Sequence, residues 1–141
     1  MRVSLRRLGD EEAGMVTAFV VIFTLALLVM AGLVLDGGLA LAAKVQAIDA
    51  AQAAARAGAQ AIDIPTYRAT GQITLDPGQA VADAQAFLAA AGERGTVTVT
   101  VAGETVDVTV TITQPTQILS VVGVDQLTVT GAGSATAQQG P

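Results

Sequence analysis

The chain has 141 residues, the size of one small domain; 52% are apolar and 13% charged, against roughly 25% charged in an ordinary soluble domain, and the mean hydropathy of +0.58 points to a membrane segment. It has no Cys, which excludes a disulfide scaffold, a thiol nucleophile and a Cys-ligated metal, and no His, which removes the commonest general base and imidazole ligand. Aromatics make up 3% of the chain and the net charge is −5, which argues against a stacking platform for single strands and against binding a phosphate backbone.

Residues 1–12 form a leader in which Arg2, Arg6 and Arg7 balance Asp10, Glu11 and Glu12. Residues 13–35 then run for 23 positions without a charge. As a helix this run is roughly 35 Å long at about 1.5 Å per residue, enough to span a hydrocarbon core about 30 Å thick. A chain this short could hardly cover a core helix that is apolar on every face, so 13–35 is expected to be transmembrane. Three Arg residues flank its N-terminal side and Lys44 is the nearest cation beyond it. The positive-inside rule therefore puts the N-terminus in the cytoplasm and the C-terminal part outside. A cleaved secretory signal is the rival reading, with small residues at Ala40, Ala42 and Ala43. Its apolar region would be about 7–15 residues, shorter than this run. The Arg6-Arg7 pair is weak evidence for a twin-arginine signal.

Residues 36–63 are Ala-rich and free of Pro, which predicts a helix continuing outward. Leu41, Val45, Ile48, Gln52, Ala55, Ala59 and Ile62 mark one face by their spacing. Gly37-Gly38 is the expected place for a bend, and reads either as a hinge at the membrane surface or as a point of close approach to a neighbouring helix. Small residues line up at Ala47, Ala51, Ala55 and Ala59, and again at Ala50, Ala54 and Gly58. Such rows let helices approach closely, either onto the chain's own sheet or onto copies of the same helix. Asp36, at the outer end of the span, reads either as a solvated acid or as a partner for a cation on a neighbouring subunit.

Residues 64–137 are expected to form a small extracytoplasmic α+β domain. Tyr67 to Leu75 reads as a loop or short strand. Asp76-Pro77-Gly78-Gln79 is a helix start, with Asp at the N-cap and Pro at the first helical position. This helix is expected to reach about Ala91, with Gly92 closing it and Val81, Ala84, Phe87, Leu88 and Ala91 on its apolar face. Thr96 to Thr113 alternates Val and Thr with period 2 around a turn at Ala102-Gly103-Glu104, a hairpin with one buried face. Thr116 to Val122 suggests a short helix, Leu127 to about Ala137 a third strand, and 138–141 a loose tail. Val97, Val99, Val101, Val106, Val108 and Val110 would pack on the two helices. The fold class is therefore α+β: a long N-terminal transmembrane helix continues into an Ala-rich helix packed on a small antiparallel sheet with one further helix.

The order of a basic start, Gly14 before the apolar run, Asp36 at its outer end, and the segments Asp49-Ala50-Ala51 and Ala54-Ala55-Arg56-Ala57-Gly58-Ala59-Gln60 resembles the TadE/TadG-like proteins of the Tad (tight adherence, Flp) pilus system. The nearest forms are the short ones of high-GC Gram-positive (actinobacterial) bacteria, and the bias of six Arg to one Lys fits such a genome. The resemblance covers roughly residues 10–62. It implies a pilin-like fold and a minor pilin-like or pseudopilin-like component, anchored in the cytoplasmic membrane, that serves in pilus biogenesis. The implied partners are other Tad pilins, inner-membrane platform proteins and the prepilin peptidase. By the same resemblance the peptidase would cut between Gly14 and Met15. The helix-packing positions would be Asp36, Gly37, Gly38, Ala51, Ala55, Gly58 and Ala59. The chain departs from the pilin pattern at Phe19, where Glu is usual five residues after the cut. The alternative is a tethered or secreted extracytoplasmic binding module unrelated to pili, which that departure favours.

An enzyme is not expected. Ser120 and Ser134 have no His to activate them, Glu104 and Asp107 read as a solvated turn and strand edge, and no EF-hand spacing is present. No catalytic residue, cofactor, metal, nucleic acid or small-molecule substrate is therefore assigned.

Overall fold

The computed structural model describes residues 5–93 and 95–138, with side chains from residue 14 onward. The side chains of the leader, including Arg6 and Arg7, together with Arg2, Arg94 and the tail residues 139–141, lie outside the described residues. Helix α1 spans Leu5–Gly58, α2 spans Ile64–Thr70 and α3 spans Pro77–Ala90; strands β1 (Thr96–Ala102), β2 (Thr105–Pro115) and β3 (Gln126–Thr136) follow, with a 3-10 turn at Leu119–Val122. This is the expected α+β class with one long helix.

The chain divides into two compact units. One comprises the helix up to Gly38 together with Thr116–Asp125; the other comprises Leu39–Pro115 and the chain from Gln126 onward. Helix α1 is continuous through Gly37-Gly38. No atom lies within 4 Å of a Cβ built at either glycine, so neither marks a close approach within this chain. The boundary between the two units falls directly after the pair.

In the second unit the sheet is antiparallel, in the order β1-β2-β3. Val97 faces Val110, Val99 faces Val108 and Val101 faces Val106 across β1 and β2, with Gly103 supplying a left-handed φ of 62° at the turn. The alternation works as the period-2 pattern requires: Val106, Val108 and Val110 are at most 1% exposed, and the β1 valines are partly buried against the same core.

On β3 the residues opposite Val108 and Val110 are Gly133 and Gly131. A Cβ at Gly131 would overlap the α1 backbone at Ala47 and Ile48, and one at Gly133 would overlap it at Ala51 and Gln52. These bare positions let the helix lie on the strand, backbone against backbone. The same contact corrects the expected helix face. The buried stripe is Ala47, Ala51, Ala54 and Ala55, each 0% exposed, while Leu41 and Val45 are 64% and 51% exposed and Gln52 is exposed. Larger side chains would hold helix and strand apart; alanine facing glycine brings them together.

Helix α3 starts as expected: Asp76 accepts the Gln79 N–H at 3.0 Å, and Gly92 follows the helix with φ 70°. Its buried face is Ala80, Ala84 and Leu88, so the expected face is corrected at Phe87 and Ala91, which are exposed. The segment read as a loop or short strand contains α2. Asp63 caps it by accepting the Thr66 N–H at 3.1 Å and hydroxyl at 2.6 Å, and Gly71 closes it with φ 72°. No residue of α2 is buried. Only Leu75, bridged to Ile62, joins the strand-like pairing expected there.

Candidate functional site: the apolar helix and the Asp36 clamp

From Gly14 to Ala31 every residue of α1 is exposed, and the helix is long and apolar enough to cross a membrane. The exposed side chains include Phe19 (67%), Val20 (53%), Val21 (60%) and Ile22 (68%), four successive positions that together go round the helix. Phe19 and Phe23, one turn apart, stack with ring centroids 5.9 Å apart. A water-facing helix would carry polar residues on one side at least. Gly14 and Met15 lie within this helix, and nothing stands within 4 Å of a Cβ built at Gly14.

At the C-terminal end of the uncharged run Asp36 is 1% exposed. Its Oδ1 accepts the N–H of Gln117 at 2.8 Å, and its Oδ2 accepts those of Ile118 at 3.0 Å and Leu119 at 2.7 Å. The carboxylate thus takes the amides that open the 3-10 turn, the role of a helix cap supplied from 81–83 positions away in the chain. One turn earlier, Gly32 makes room for the connection: a Cβ there would stand 2.7 Å from Ile118 Cγ2. The turn is closed by Gly123 at φ 89°. The expected solvated acid is corrected: the group is buried, and its oxygens face backbone amides of its own chain.

The other packing positions fall in the second unit. Ala51 and Ala55 are 0% exposed within the core against the sheet. A Cβ at Gly58 would stand 2.8 Å from the Ala80 carbonyl oxygen and 3.2 Å from Val106 Cγ1. These three pack within the chain's own fold, the first of the two arrangements the small-residue rows allow. Ala59 is half-buried beside them. Lys44 donates to the Thr130 carbonyl of β3, and Gln46 Nε2 reaches Glu93 at 3.2 Å. Sequence reasoning missed Gly131, Gly133 and Gly32. Their only local sign is glycine inside a strand or helix pattern, which marks close backbone approach.

Among the described residues no group of three or more acidic side chains could hold a metal ion. Ser134 pairs opposite Asp107 in the sheet, and Ser120 lies in the clamped turn.

No curated protein and no solved structure matches this chain. Residues 14–61 match the family described as "Putative Flp pilus-assembly TadE/G-like", about a third of the sequence. The matched stretch begins at Gly14, passes through Asp36 and ends just past α1. It is a structural and assembly family rather than an enzymatic one, and the match supports a pilus-related role. The resemblance carried by Gly14, Asp36 and the Ala-rich segment holds, and residues 14–61 bear the TadE/G-like signature of Flp pilus assembly.

Proposed function

We propose that the chain is a membrane-anchored, minor pilin-like or pseudopilin-like structural component in the biogenesis of a Tad/Flp-type pilus. The observation that carries this reading is the coincidence of the family match with a helix in which residues 13–35 carry no charge and every residue from Gly14 to Ala31 is exposed. Residues 13–35 hold the subunit in the cytoplasmic membrane by burial of that surface in lipid. The leader 1–12 lies in the cytoplasm, and the Ala-rich helix (36–63) and the α+β domain (64–137) lie outside with the tail 138–141. Other Tad pilins and inner-membrane platform proteins are the partners, and the mature subunit is pilus-associated, in a process of secretion and adhesion. The mechanism is lateral helix contact and display of a folded domain, with no chemical step.

Processing by a prepilin peptidase between Gly14 and Met15 is part of this proposal. Phe19 stands where pilins of this kind usually carry Glu, so cleavage and filament entry need separate tests. N-terminal sequencing of the membrane-extracted protein decides the first: a start at Met15 supports maturation, an intact Met1 supports a permanent tether, and a start near Lys44 overturns the anchor. Deleting the gene in its host tests the role; loss of surface pili, restored by the full chain, is expected, and unchanged piliation contradicts it. Replacing Arg2, Arg6 and Arg7 with Glu should disturb insertion. Unchanged topology by protease accessibility would contradict the assigned orientation.

A further inference from the structure

The connection from Thr116 to Val124 has no charged residue and reads Thr-Gln-Ile-Leu-Ser-Val-Val-Gly-Val. Loops that run over a water-facing surface are exposed and polar, because water must solvate their backbone. This one presents Val121 at 82% exposure, Val122 at 47% and Val124 at 40%. Ile118, Leu119, Val121 and Val122 face Leu25, Leu28 and Val29 of α1 across an apolar hollow. Those helix residues stand seven to eleven positions before Asp36. At about 1.5 Å per residue that is roughly 10–16 Å down the helix, toward the middle of a hydrocarbon core about 30 Å thick. If residues 13–35 cross the bilayer, as the proposed function holds, the turn sits at the depth of acyl chains.

At least seven of the nine backbone N–H groups from Thr116 to Val124 have partners within the chain. Irregular chain cannot face lipid unless its polar groups are satisfied internally. Asp36 takes the amides of Gln117, Ile118 and Leu119. Asp125 O takes that of Thr116 at 3.0 Å, Ile118 O that of Val121 at 3.1 Å, Ser120 O that of Gly123 at 3.1 Å and Leu119 O that of Val124 at 3.0 Å. The Thr116 hydroxyl is spent on the Val124 carbonyl.

We propose that the 3-10 turn Leu119–Val122 and its flanks are inserted in the bilayer leaflet on the C-terminal side of the span, with Val121, Val122 and Val124 against acyl chains. Asp36 is the internal acceptor that lets this backbone give up its water. The occupant of the apolar surface is lipid rather than a protein partner because the surface is continuous with the lipid-facing helix at Leu25, Leu28 and Val29. The inference rests on the membrane anchor assigned above, and its test separates the two.

The chain has no native cysteine, so single-cysteine variants report cleanly. Val121→Cys, Phe23→Cys and Gln85→Cys change exposed positions on the turn, the span and α3 respectively. Each full-length variant is labelled with an environment-sensitive fluorophore and reconstituted at low protein-to-lipid ratio in phosphatidylcholine vesicles. Quenching is then read with doxyl-labelled lipid and with iodide on both sides of the membrane. The expected result is that position 121 behaves like position 23, with blue-shifted emission, loss of intensity to lipid quencher and protection from iodide, while position 85 does the reverse. If position 23 is quenched from lipid but position 121 by iodide, the turn is in water and the inference falls while the anchor stands. Protection of position 121 from both quenchers means that protein covers it, which also overturns the inference. Iodide quenching at position 23 overturns the anchor, and the inference with it.

Discussion

At the scale of single residues, Asp36 and the glycines of β3 set the close approaches from which the rest is built. Removing an acceptor leaves its donors unpaired, which is worse than never having had the bond. Asp36→Ala strands three amides at once, whereas Asp36→Asn keeps one acceptor oxygen. Hydrogen exchange in the peptide covering residues 117–119 of the membrane-inserted chain should therefore rise strongly in Asp36→Ala and less in Asp36→Asn. Equal protection in both variants and the parent would contradict the clamp. Gly131→Val presses a side chain into the α1 backbone, and overpacking of this kind costs about 1–3 kcal/mol or more. Gly38→Ala meets nothing within 4 Å, and helix propensity predicts a gain of up to about 1 kcal/mol. Thermal melts of the full chain in detergent should move in opposite directions for these two variants.

At the scale of elements, the helix starts are carried by local chemistry. Asp76→Ala removes the α3 cap and should lower stability by about 1 kcal/mol. Asp63, which caps α2, has its carboxyl held below the usual carboxylate range, first by the Thr66 hydroxyl and then by the Thr66 amide. A depressed folded-state value means that the cap contributes fully above the unfolded aspartate value, about 4, and is lost as pH falls through the lower folded one. An NMR titration of the Asp63 carboxyl should show a midpoint below that of free aspartate, and Thr66→Val should raise it. A midpoint that does not respond to Thr66→Val would contradict the stated cause. The strands, α3 and their turns were legible in sequence because each signal is local: Val-Thr alternation, Asp-Pro-Gly-Gln, a glycine past the helix. Helix α2 was not, although Asp63 and Pro65 resemble Asp76 and Pro77. Seven residues with no buried side chain leave no apolar period to read.

At the scale of the whole molecule, the information missing from the sequence is long-range. The α1 face was misread because Leu41 and Val45 are the larger aliphatics, while the contact is decided by glycines more than 80 positions away. The role of Asp36 was hidden for the same reason, since its partners are backbone amides of a distant connection with no sequence signature. The long apolar helix that would form the span was plain, because 23 uncharged residues are their own signal. That span bears the central claim, and alkaline carbonate extraction of membranes from cells expressing the full chain tests it most directly. The account predicts that the protein stays in the membrane pellet and is released only by detergent. Recovery of the intact chain, with residues 13–35 present, in the carbonate supernatant would contradict it.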